Sequence, residues 1–120
     1  MSKNDTVLIL RLIKDKKYIW IVLHVQSHEC FGNDKWTRWW LFKQKSLMYS
    51  LSESLARHIA SKINKQNNTE YGVILFYSNS NIEDFQLKNG KLIAPEIDII
   101  EPPNHPDTSS PDDWVVIERL

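Results

Sequence analysis

The chain has one cysteine, Cys30, three glycines, and no proline before residue 95. A lone cysteine excludes an internal disulfide, so the fold must rest on its own hydrophobic core. Glycines only at 32, 72 and 90 exclude a glycine-rich phosphate loop, which needs several of them close together so that backbone amides can approach a phosphate. The serines are numerous, but none sits in a nucleophile-elbow pattern. Long apolar runs are also missing. Val7 to Ile13 is too short to span a bilayer and is interrupted by Arg11, so no membrane contact is expected. The opening Met1-Ser2-Lys3-Asn4-Asp5 is polar and lacks a secretory pattern. Together with the single cysteine, this points to the reducing cytoplasm.

What is present is the makings of a core. The 120 residues are 42% apolar and 25% charged, close to the globular average and within the size of one domain. The net charge is zero, but it is unevenly spread. Residues 1–82 hold twelve Lys/Arg against six Asp/Glu, and residues 83–120 hold three against nine. A basic front and an acidic back fit a charged partner or an association of the two parts. A dipolar, solvated surface is the simpler explanation of the same asymmetry.

Two β-branched, apolar runs, Thr6 to Ile13 and Tyr18 to Val25, flank Asp15-Lys16-Lys17 and predict an antiparallel hairpin. Both faces of the second run are largely apolar, which predicts a central strand. Trp36 to Lys43 is rich in aromatics and reads as a third strand. Ser50-Leu51-Ser52-Glu53 has the spacing of a capping box, and Met48, Leu51, Leu55, Ala56, Ile59 and Ile63 fall on one stripe of the helix it would open. That stripe is expected to be buried, with the helix ending at Asn64 to Asn68. Tyr71 to Tyr77 predicts a strand. Asn89-Gly90 predicts a tight turn between two more, because this pair tolerates positive φ.

All five prolines lie between residues 95 and 111, and residues 96–113 carry six acids and no Lys or Arg. This is an extended, acidic segment, ending in a short docked strand or helix around Trp114 to Ile117. The expected fold is therefore α+β: a small, mostly antiparallel sheet in the order β-β-β-α-β-β-β, with one amphipathic helix packed on one face. Residues 1–94 form the core domain and residues 95–120 the acidic, proline-rich segment.

Groupings able to carry chemistry are few. His24, His28, Glu29 and Cys30 lie close in sequence, but no second Cys/His pair follows at zinc spacing. An edge histidine, a solvent histidine and a half-buried cysteine account for them as well. Glu83, Asp84 and Lys88 resemble the acid and lysine grouping of metal-dependent nucleases only faintly, since Gln86 stands where a carboxylate is wanted. Glu53 and Glu70 join them only if folding brings all four acids together. No metal, cofactor or catalytic residue is assigned.

The segment from Trp36 to Lys45 differs in kind. Trp36, Arg38, Trp39, Trp40, Lys43 and Lys45 combine indoles with cations, which fits stacking on unpaired bases, a protein hot spot, or a core strand with Arg38 laid on an indole. Three tryptophans within five residues do not readily share one face, so at least one should reach the surface. The expectation is a non-catalytic binding module, a small accessory subunit or adaptor that contacts another protein through this segment and an arm carrying Trp114. Single-stranded nucleic-acid binding is the alternative, and a small metal- or Cys/His-dependent enzyme the third reading.

Overall fold

The structure, a computed structural model, describes residues 4–26, 31, 34–96 and, for the backbone alone, 116–119. Its elements are β1 (Thr6–Lys14), β2 (Lys17–Val25), α1 (Asp34–Lys43), β3 (Ser46–Met48), α2 (Glu53–Asn67), β4 (Val73–Tyr77), β5 (Gln86–Lys88), β6 (Lys91–Ile93) and β7 (Val116–Arg119). The α+β class holds. The larger sheet has the order β2-β1-β4-β7 and the smaller one β3-β6-β5.

Asp15 and Lys16 take left-handed φ values of 52° and 63°, which turns β1 into β2 in two residues and pairs Lys14 with Lys17. Asn89 and Gly90 do the same between β5 and β6. The link from β1 to β4 is different. These two strands run parallel, Val7 beside Val73 through Arg11 beside Tyr77, so the chain must cross over a sheet face between them. Helix α2 lies in that crossover.

Alternation divides the larger sheet into two apolar faces. Leu8, Leu10, Leu12, Ile19, Ile21, Ile74 and Phe76 point one way, into a cluster closed by Phe31, Leu41, Ile82, Phe85 and Leu92. Val7, Ile9, Trp20 and Leu75 point the other way, onto Ala56 and Ala60 of α2. The result is three layers, with α2 on one side of the sheet and α1 with the small sheet on the other. Arg11 shares this second face by alternation, its guanidinium 4.1 Å from the Tyr18 ring and 3.9 Å from the Tyr77 ring.

Besides β2, which was expected to be central but is the edge strand of the larger sheet with β1 alone beside it, three local expectations need correction. Trp36 to Lys43 is helix α1, not a strand. Thr37 and Leu41, four residues apart, are its buried positions, and Trp36 and Trp40, also four apart, hold Phe31 between them at centroid distances of 4.9 and 5.0 Å. Helical spacing therefore puts the indoles on a common core residue, which alternation cannot do, and this contact outweighs the β preference of aromatics. The expected order becomes β-β-α-β-α-β-β-β, with β7 after it, and the sheet has a helix on each side.

The second correction is the cap of α2. Ser52, not Ser50, is the N-cap, its Oγ accepting from the Leu55 amide at 3.2 Å. Ser50 is held two residues earlier by reciprocal backbone bonds with Trp20, of 2.9 and 2.8 Å, at the outer edge of β2. The third concerns the stripe. Ala56 and Ala60 are fully buried, while Met48 is 77% exposed, Leu51 64%, Leu55 50% and Ile59 38%. A close approach of helix to sheet needs small side chains at the contact, and the larger ones are left beside it. Asn68, in the left-handed conformation, then ends the helix as expected, its amide donating to the Asn64 carbonyl at 2.7 Å.

Candidate functional site

The large side chains displaced from the α2 contact do not scatter. Leu55, Ile59 and Ile63 form one wall of a groove of about 770 Å³, Trp20 and Val22 of β2 its floor, and Met48 and Leu51 its far lip. Each element arrives there for a local reason. The bridge between Trp20 and Ser50 brings residues 48–51 alongside β2, and the Ser52 cap aims α2 back across the sheet. Among the described residues no charged side chain lines the groove. At 100° per residue the exposed flank of the stripe carries His58 and Lys62, while Glu53 is turned to the opposite flank, where it meets Arg57 at 3.3 Å. On the far lip Lys91 lies opposite Met48 in the β3–β6 register. Aliphatic side chains exposed together around a concave surface make this groove the candidate site.

One further property belongs to the same edge. The outward amide and carbonyl of Trp20 bond to Ser50, so by alternation those of Val22 and His24 also point away from β1. Among the described residues no backbone group pairs with them.

The segment expected to make contact is largely committed to the fold. Arg38 donates to the Asn81 carbonyl at 2.8 Å and makes a two-pronged pair with Asp84 at 2.9 and 3.3 Å, and its guanidinium lies 4.3 Å from the Phe42 ring centroid. Trp36 and Trp40 pack against the core. Trp39, half-buried and outside that cluster, is tilted against Trp36 at 5.7 Å, with the Lys43 ammonium 5.6 Å from its ring. Lys45, in a left-handed turn, borders a separate groove with Phe42, Lys91 and Glu96. The six residues are thus divided between core, internal ion pair and two different surfaces. Trp114 lies outside the described residues, as do His28, Glu29 and Cys30.

His24 is described, and it has a partner the sequence did not predict. Its Nε2 lies 2.8 Å from Asp5, a buried carboxylate that also accepts from the Glu70 amide at 3.0 Å. The hydrogen bond from His24, followed by that from the Glu70 backbone, holds the Asp5 carboxyl below its ordinary range. The pair ties the start of β1 to the end of β2. The scattered acids do not converge. Glu53 goes to Arg57, Glu83 to Lys14 at 3.6 Å and Asp84 to Arg38. Among the described residues no three His, Cys, Asp or Glu side chains are gathered for a metal ion, and no helix is long and apolar enough to cross a membrane.

Sequence reasoning named every side chain of the groove wall but put the wall inside. One signal was available. The apolar arc of α2 holds both a small pair, Ala56 and Ala60, and a large set, Leu55, Ile59 and Ile63, which is wider than one sheet contact can cover. In comparisons with known proteins the chain matches no family model, no curated sequence and no solved structure. The functional reading therefore rests on the geometry above.

Proposed function

We propose that this chain is a non-catalytic binding module, an accessory subunit or adaptor, that contacts another protein through the groove between α2 and β2. One observation carries the reading: Met48, Leu51, Leu55 and Ile59 are exposed side by side around a concave apolar floor. Leaving such a surface in water is unfavourable by roughly 25 cal/mol per Å² of apolar area, and a partner that covers it recovers that free energy. The class of function is the one expected from the sequence, with the groove taking the place of residues 36–45 as contact face, while the arm carrying Trp114 lies outside the described residues. The nucleic-acid alternative draws less support, because Arg38 is already paired with Asp84 and two of the three neighbouring indoles are packed inward. A cytoplasmic location belongs to the same reading and is supported by the single cysteine.

The test is a photoreactive amino acid at position 55 or 59, and at position 57 on the opposite flank, in the full chain expressed in its native cell. Cross-links to one protein from 55 and 59, absent from 57, are expected. Equal labelling from both flanks, or none from either, overturns the proposal.

A further inference from the structure

We infer that the groove and the outer edge of β2 together accept an extended, acidic segment of another protein, added to the larger sheet as a strand. This rests on the proposed protein-binding function and names the chemistry of the partner. The argument begins at Ser50. Its two bonds to Trp20 make residue 50 the first paired position of a strand beyond β2, and the chain then turns away into α2. The next outward groups, those of Val22 and His24, have no backbone partner among the described residues and form a row of donors and acceptors with the spacing that an added strand matches.

A strand laid there would have alternate side chains on the α2 side, between Val22 below and Leu55, Ile59 and Ile63 beside. Those positions call for apolar residues. Carboxylates suit the margins of the groove, since His58 and Lys62 flank the apolar stripe of α2 and Lys91, on the rim of the neighbouring groove, is paired with Met48 of the lip, while Glu53 is turned away onto Arg57. Two copies of this chain paired edge to edge would bring these same cations together, so a second copy is disfavoured by its own charge. A lipid surface would meet the apolar stripe and the cations but leave the Val22 and His24 backbone groups unpaired.

The experiment uses the full chain labelled with ¹⁵N and three synthetic peptides of about ten residues. One alternates valine with glutamate, one alternates valine with lysine, and the third is the glutamate peptide N-methylated at every second amide. The glutamate peptide should shift the amides of Val22 and His24 and the resonances of Leu55 and Ile59. The lysine and N-methylated peptides should bind about tenfold more weakly or worse. Lys62→Glu and Lys91→Glu, both at exposed positions, should each weaken the glutamate peptide roughly two- to fivefold, with the effect fading at high salt.

Equal binding of the N-methylated peptide overturns strand addition. Equal binding of the lysine peptide overturns the acidic partner. A preformed amphipathic helix that occupies the groove without shifting Val22 and His24 overturns the inference while leaving the protein-binding function standing. Three results remove both: no peptide of any kind perturbing the groove, sedimentation with phosphatidylserine vesicles in place of peptide binding, or a dimer on ultracentrifugation that broadens those same amides.

Discussion

Replacing Leu55 by alanine decides which arc of α2 is its inside. A leucine fully buried in a core loses about 2–5 kcal/mol on truncation, because a cavity is added to the lost transfer free energy. Leu55 is half exposed and lines an open groove, so truncation leaves no cavity. Burying a leucine fully is favourable by about 1.5–3 kcal/mol, alanine keeps part of that, and half the side chain is already in water. The expected loss is about 0.5–1 kcal/mol, reduced a little by the better helix propensity of alanine. Ile59→Ala should behave alike, at about 1 kcal/mol. Two reference variants calibrate the scale. Leu75→Ala, at a position with no exposure, should cost about 2–5 kcal/mol, and Ala60→Leu should cost about 1–3 kcal/mol by overfilling the helix–sheet contact. Urea denaturation followed by circular dichroism reads all four, provided the slope with denaturant is common to them. If Leu55→Ala matches Leu75→Ala, the stripe is buried in solution and the groove reasoning fails. If Ala60→Leu costs nothing, α2 does not approach the sheet closely.

Three other perturbations address separate parts of the molecule. Asp5 has a folded pKa below its ordinary value, so its contribution to stability is complete above the unfolded pKa of 3.8 and is lost as pH falls through the lower folded value. The urea midpoint should therefore fall more steeply between about pH 5 and pH 2 in the wild type than in Asp5→Asn, and parallel curves would refute the pairing. Arg38→Ala should cost about 1 kcal/mol, with a double-mutant coupling to Asp84 of about 0.5–1 kcal/mol. Loss of polyanion affinity in Arg38→Ala without loss of stability would instead return Arg38 to a nucleic-acid surface. Gly90 has φ of 76° and open space where a Cβ would lie, so Gly90→Ala should cost about 1 kcal/mol from backbone strain alone, again by urea denaturation. A neutral result would mean that the β5–β6 turn is not of the positive-φ type.

Elements whose signals are local were legible in the residues alone. The runs Thr6 to Ile13, Tyr18 to Val25 and Tyr71 to Tyr77 became β1, β2 and β4, because β-branched apolar residues bounded by turn formers have few other stable conformations. Asn89-Gly90 became a turn with both residues at positive φ, and α2 ended at its asparagines. The sequence also named Leu55, Ile59 and Ile63 as one stripe. What it left open were choices made between elements. Whether Trp36 to Lys43 coils or extends depended on Phe31, which two indoles grip only at helical spacing. Whether Arg38 reached solvent depended on Asp84, 46 residues away. The parallel pairing of β1 with β4, and Asp5 with His24, likewise join positions that no local window contains. The decision that matters most for function was of the same kind. An apolar stripe states only that water is avoided, not what covers it. In α2 the sheet chose Ala56 and Ala60, since small side chains permit the closest approach, and the larger residues were left to border the groove.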